Sequence, residues 1–189
     1  MVVTWGTPVR FVSCQEALND CLLKAKLMAC PHCKLTGTLV GHGWVKGYAE
    51  RGQERVIRGR RLYCSNRFLH PGCGRTFSIL LDHVLSGFVV SVCTLLRFVV
   101  AVVAGTSRKA AWKQAAAGAF SLASGYRLWR RLNQAQPHLR TRLCSVSAPP
   151  LCDAKEPFAQ LLAHLKCVLG ATDCLFSGFQ SHFQVGLFG

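Results

Sequence analysis

Hydrophobic and polar positions follow different rhythms along the chain, and each rhythm predicts a different element. Residues 1 to 12 carry no sustained period and read as extended or loose chain. Ser13-Cys14-Gln15-Glu16 has capping-box spacing, in which Ser13 accepts from the Glu16 amide and Glu16 returns the bond. The helix predicted from there to about Lys26 places Ala17, Leu18, Cys21, Leu22 and Ala25 on one face. Between residues 38 and 63 the pattern becomes that of strands. Thr38-Leu39-Val40 and Trp44-Val45 form one arm, with glycines at 37, 41, 43 and 47 permitting tight turns and close backbone approach. Glu50 to Glu54 is a polar tip, and Arg55 to Tyr63 is the returning arm.

The second half has a helical rhythm. Val84 to Ala104 is a 21-residue run with one charge, Arg97, long enough for a membrane span. On an insertion scale the arginine costs about 2.5–3.5 kcal/mol, which the Val, Leu and Phe residues around it offset at about 0.3–0.6 kcal/mol each. Gly87 and several Ser, Cys and Thr residues dilute the run, and basic segments flank it, so a buried helix central to an all-α domain is the favoured expectation. A single span at 84–104 is the alternative. Gly105-Thr106-Ser107 ends this helix and caps another, Arg108 to about Ala117, which packs through Trp112 and its alanines. After a turn at 116–120, Ser124 caps a third helix running to about Gln136, where Pro137 ends or kinks it. Arg127, Arg130, Arg131 and Gln134 share one face of that helix, Leu128, Leu132 and Ala135 another, and Tyr126 and Trp129 read as packing residues. Ala148-Pro149-Pro150 is a linker, and Pro157 to Leu169 a helix stopped by Gly170. Phe176 to Gly189, with four phenylalanines, reads as a loosely packed tail, or as a segment that docks on the body or on a partner.

Composition adds a strong electrostatic term. The 189 residues carry a formal charge of +15, and half of them are apolar, enough for a buried core. Such a surface attracts polyanions, nucleic acid first and an anionic membrane surface second. No acid occurs between Asp82 and Asp153, a stretch holding nine Lys and Arg residues.

Eleven cysteines, an odd number and without a secretory leader, fit free cytosolic thiols better than a disulfide framework. Cys14, Cys21, Cys93, Cys144, Cys152, Cys167 and Cys174 sit among Leu, Val and Ala and read as small buried hydrophobes. Cys30, Cys33, Cys64 and Cys73 are different. Cys30-Pro31-His32-Cys33 opens, and Cys64 and Cys73 close, a segment of about 30 residues whose two turns a four-thiolate zinc site would clip together. A redox Cys-x-x-Cys would need a βαβ pattern that is missing. Eight residues separate Cys64 from Cys73, so Ser65 to Gly72 must bulge out, and either His32 or His70 can replace one thiolate in a Cys3His site. His42 and His83 read as ordinary polar residues.

Cys-Pro-His-Cys, the Gly-His-Gly segment, Arg60-Arg61-Leu62-Tyr63-Cys64-Ser65-Asn66-Arg67 and Gly72-Cys73-Gly74-Arg75-Thr76-Phe77 resemble the zinc-ribbon segment of transposases and their accessory proteins from bacterial insertion elements. The resemblance covers about residues 28–135. It implies structural zinc on Cys30, Cys33, Cys64 and Cys73, a helix-turn-helix after the ribbon, DNA binding, and a bacterial cytoplasmic, nucleoid-associated location. The wide second cysteine pair departs from that pattern.

The expected architecture is therefore a small α+β protein, a zinc ribbon of β-hairpins followed by a helix-turn-helix-like domain. Its divisions are an N-terminal helix at 1–27, the ribbon at 28–80, a helical domain at 81–145, and a C-terminal helix and aromatic tail at 146–189. The expected partner is double-stranded DNA, with a transposase or a second copy of the chain as further partners. Arg55, Arg58, Arg60, Arg61, Arg67 and Arg75 of the ribbon are candidate phosphate contacts, together with Lys109, Lys113 and Arg131. Arg108 extends this basic set, and Arg127 and Arg130 are candidates for bidentate contact with guanine. Eight scattered acids offer no carboxylate cluster for a two-metal site, and no glutamate flanks the cysteines as a base, so no catalytic site is expected.

Overall fold

The computed structural model describes residues 10–52 and 54–189, and the protein is α+β, with a four-stranded mixed sheet and six helices among those residues. It divides into two compact units, one ending at Asp82 and one from His83 to Gly189. The predicted N-terminal helix thus falls in the unit of the cysteine-bearing hairpin, and the C-terminal helix and aromatic tail fall in the helical unit.

The first unit is built on β1 (Phe11–Val12), α1 (Gln15–Leu23), a 3-10 turn at Ala25–Leu27, β2 (Leu39–Tyr48), β3 (Arg55–Cys64) and β4 (Thr76–Leu81). The sheet order is β1-β4-β3-β2, with β1 parallel to β4 and the other pairs antiparallel. The two arms of the predicted hairpin are β2 and β3; the added β4 and β1 cover one edge of β3 and make a sheet of it. Leu18 of α1 packs with Met28, Leu39, Leu62 and Ile79 in a small core, all essentially closed to solvent. The helix start differs from the capping-box prediction by one residue. Cys14 is the N-cap, its sulfur accepting from the Ala17 amide at 3.5 Å, which turns Leu18 and Cys21 inward. The 1–9 part of the predicted loose N-terminus lies outside the described residues.

The second unit contains α2 (Val92–Val103), α3 (Arg108–Ala116), α4 (Leu122–Cys144), α5 (Pro157–Leu169) and α6 (Leu175–Phe183). The apolar run at 84–104 is not one helix. Gly87 takes a left-handed φ of +79°, and Ser91 caps α2 by accepting from the Thr94 amide at 3.2 Å. The remaining 12 residues span about 18 Å, well short of a hydrocarbon core of about 30 Å. Among the described residues no helix is long and apolar enough to cross a membrane. Val92, Leu95, Phe98 and Val99 instead face a protein core, where the Phe98 ring meets Trp112 and Trp129 edge-on at 5.2 and 5.5 Å.

Two boundaries around α4 also differ from expectation. Its cap is Ser121, one turn before Ser124, and Trp112 fixes that point by donating from Nε1 to the Ser121 carbonyl at 2.9 Å. The helix runs through Pro137 to Cys144 because Leu139 and Leu143 are fully buried beyond it. Two such leucines at about 1.5–3 kcal/mol each offset the cost of an interior proline, about 3 kcal/mol. The C-terminal segment is α6 and its extension, docked on the unit itself. Phe176 and Phe179 are closed to solvent, and buried Gln180 donates to the Val84 carbonyl at 3.1 Å while accepting from the Leu187 amide at 3.0 Å.

Close packing of α3 on α4 makes Gly125 critical, since a Cβ there would lie 2.6 Å from the Trp112 indole. Replacing Gly125 by valine is expected to destabilise the helical unit by about 1–3 kcal/mol, as overpacking does. Urea denaturation followed by tryptophan fluorescence would register the loss as a lower midpoint.

Candidate metal centre and basic surfaces

The sulfurs of Cys30, Cys33, Cys64 and Cys73 all lie within 4.8 Å of one another. Cys30 and Cys73 are 3.8 Å apart and Cys33 and Cys64 are 3.6 Å apart, too far for a disulfide, whose S–S length is about 2 Å. A tetrahedral ion with metal–sulfur bonds of about 2.3 Å places its sulfurs about 3.8 Å apart, close to the separations of these two pairs, so the group could hold a metal ion.

Two backbone turns of matching geometry deliver the sulfurs. In the first, the Lys34 amide donates to the Cys30 carbonyl at 2.9 Å, and the Cys30 amide donates to the Leu35 carbonyl at 2.9 Å. In the second, the Gly74 amide donates to the Cys64 carbonyl at 3.0 Å, and the Cys64 amide donates to the Arg75 carbonyl at 2.8 Å. The residue after each second cysteine is left-handed, Lys34 at φ +66° and Gly74 at φ +71°. The eight-residue separation is closed by one hydrogen bond, from the Gly72 amide to the Ser65 carbonyl at 2.9 Å. It places Cys64-Ser65 against Gly72-Cys73 as though they were consecutive, and residues 66–71 leave the turn as an excursion. Only glycine allows this contact, because a Cβ at position 72 would fall 2.0 Å from the Ser65 oxygen.

The surroundings act on the four thiols unequally. Burial pushes the Cys30 thiol up to about 11, whereas the Leu35 amide, with the neighbouring thiols, holds Cys33 down at about 7. The His32 amide reaches Cys30 Sγ at 3.4 Å, the Cys73 amide reaches Cys64 Sγ at 3.3 Å, and the buried Thr38 hydroxyl lies 3.1 Å from Cys64 Sγ. Thr38 also accepts from the Ser65 amide at 2.8 Å through its carbonyl. Thr38 and Gly72 were not legible as site residues; the Gly-Cys-Gly sequence at 72–74 was the available signal for a constrained turn.

The histidine alternates are not part of the group. The His32 ring reaches the Thr76 carbonyl, with Nε2 at 3.3 Å, and His70 is exposed on the excursion. The remaining cysteines divide differently from expectation. Cys21 and Cys174 are buried and Cys93 partly so, but Cys14, Cys144, Cys152 and Cys167 are exposed. Those four cap a helix, end a helix, lie in the linker and face outward from α5, positions where helix periodicity and chain ends leave no core to enter. Cys174, the N-cap of α6, is held down at about 6 by the Cys93 side chain and by amides of the first turn.

Of the predicted nucleic-acid contacts, Arg55, Arg61, Arg67 and Arg75 are exposed, and Arg58 and Arg60 partly buried. Arg60 stacks 4.2 Å over Trp44, Arg55 5.8 Å over Tyr48 and Arg67 5.9 Å over Tyr63. Burial lowers the Arg58 pKa, opposed by the charge of Glu50. In the helical unit Arg108, Lys109, Lys113, Arg127, Arg130 and Arg131 are all exposed. Leu128, Trp129, Leu132 and Ala135 supply the buried side of α4, but Tyr126, expected to pack, is half exposed because it falls beside Arg127 on the outer face. No protein family matches the chain, and no curated protein or solved structure matches it either.

Cys64→Ser and Cys73→Ser are each expected to lose bound metal from the purified chain, and Thr38→Val to weaken metal binding about tenfold as an outer partner of a ligand. Metal analysis after dialysis against a chelator reads all three. Thiolates bind metal and thiols do not, so proton release accompanies loading and affinity rises with pH. Cys30, at about 11, contributes throughout the neutral range, and Cys33 contributes mainly below about 7. Lowering the pH from 7 to 5 should therefore release metal, measurable with a chromogenic chelator.

Proposed function

We propose that this chain is a zinc-dependent DNA-binding protein without a catalytic site of its own, of the kind associated with insertion-element transposases. Its zinc is structural: all four donors are cysteines, which leaves no open position for substrate. The first unit is then a zinc ribbon, in which the metal stabilises a sheet whose core is small, and the exposed arginines beside it take phosphate.

In the helical unit, α3, the five-residue turn at 117–121 and the first half of α4 act as a helix-turn-helix. The observation that carries the reading is the exposure of Arg127, Arg130 and Arg131 on α4, with Lys109 and Lys113 exposed on α3, in a 70-residue stretch from His83 to Cys152 that contains no acid. A helix so charged gains nothing from folding alone. Presented to a major groove, Arg127 and Arg130 can each donate two hydrogen bonds to a guanine edge, and the lysines neutralise phosphate.

Duplex binding is expected to weaken by about 0.9 log units per phosphate contact for each tenfold rise in salt. Arg127→Ala and Arg130→Ala should each cost about 1–3 kcal/mol on a preferred site and less on random duplex. Fluorescence anisotropy across a salt series measures both. Absence of duplex binding by folded, metal-loaded protein would refute the proposal.

A further inference from the structure

The long hairpin of the first unit carries a surface whose chemistry differs from that of a phosphate clamp. In its antiparallel ladder Trp44 is directly opposite Arg60 and Tyr48 directly opposite Arg55, and directly paired residues project from the same face. The register shift between these pairs leaves Trp44, Lys46 and Tyr48 in regular alternation on β2, so all three share that face. Both rings are open to solvent, Trp44 at 42% exposure on the edge strand of the three-stranded part of the sheet and Tyr48 at 52% where the hairpin extends beyond β4.

The face is also positive. The Arg60 guanidinium lies across β2, its Nη2 only 3.1 Å from where a Cβ at Gly41 would sit, and its buried Nε has no hydrogen-bond partner. Gly41 leaves the room that this guanidinium takes. Residues 39–64 contain six Lys and Arg against two acids, both of which lie at the hairpin tip.

We infer that the face formed by Gly41, Trp44, Lys46, Tyr48, Arg55 and Arg60 binds single-stranded nucleic acid, stacking unpaired bases on the two rings. Trp44 and Tyr48 are about 13 Å apart along the strand, too far to sandwich one base, so each ring seats its own. Bases inside a duplex cannot reach such rings, whereas those of a single strand offer a π-face whatever their sequence. Arg60 lies 4.2 Å over one face of Trp44 and Arg55 5.8 Å over one face of Tyr48, so a base takes the opposite face of each ring, and Lys46 and the two guanidiniums neutralise the accompanying phosphates. Positive charge alone would attract duplex equally; the paired exposed rings are what select unpaired strand. The inference shares with the proposed function the assignment of a polyanionic partner, but places a different form of that partner on a different unit.

The test uses the full metal-loaded chain, with a labelled oligothymidylate of about 15 nucleotides and a labelled mixed-sequence duplex as probes. Trp44→Ala and Tyr48→Ala are each expected to weaken oligothymidylate binding about tenfold while leaving duplex affinity within about twofold. Trp44→Phe and Tyr48→Phe, which keep a stacking ring, should retain most of the single-strand affinity, and their unchanged metal content shows that the sheet is intact. An oligouridylate of equal length distinguishes RNA from DNA as the bound strand. Single-strand affinity untouched by the alanine variants, or equal loss on both probes, overturns the inference. Loss of duplex binding in Arg127→Ala and Arg130→Ala with single-strand binding intact bears on the helical unit alone, so the two readings fail separately.

Discussion

Buried sulfur is the constraint on which the first unit depends. Cys30 and Cys64 are closed to solvent, and the four sulfurs converge to metal-binding distances in a region with few large apolar side chains. A thiolate at that depth is costly without a cation, as the upward displacement of Cys30 shows. With a tetrahedral ion the same arrangement becomes the strongest link in the unit, joining the turn before β2 to the turn between β3 and β4. The base of the long, glycine-containing hairpin would then be held by coordination as well as by the burial of Leu39, Leu62 and Ile79.

The helical unit is held differently. Phe98, Trp112, Trp129 and Phe158 form a chain of ring contacts between 4.7 and 5.5 Å, and α2, α3, α4 and α5 each contribute one ring. Trp112 has a second task, since its indole N–H anchors the start of α4 and its ring leaves room only for a glycine at position 125. On the outer side of α4 Arg127 and Arg130 are exposed, while Arg131 lies 5.9 Å over the Phe88 ring. These arginines cost little to display, and a basic helix face on a rigid core suits recognition of a polyanion.

Charge and aromaticity are distributed unequally between the units. On α3 and α4, Arg108 lies 5.3 Å over the buried Trp129 and Arg131 5.9 Å over the partly buried Phe88, whereas the hairpin alternates arginine with the exposed Trp44 and Tyr48 and with Tyr63. Under the proposed function, point charges would read phosphate and flat rings bases.

Local signals were legible wherever one residue type has one dominant use. Cys30, Cys33, Cys64 and Cys73 could be grouped from their spacing, the hairpin arms from glycine and strand periodicity, α5 from Pro157 and Gly170, and the two sides of α4 from its 3.6-residue period. The sequence by itself determined these elements and their polarity, because capping, alternation and thiol chemistry act over a few residues. Only the tertiary structure decided how distant segments share space. It started the helix of the apolar run only after Ser91, carried α4 through Pro137 on the burial of Leu139 and Leu143, and folded the phenylalanine-rich C-terminus onto the core. It also turned an eight-residue separation between Cys64 and Cys73 into a tight turn through one hydrogen bond between Ser65 and Gly72, a contact that depends on backbone atoms approaching closely and so leaves no pattern along the chain except a glycine.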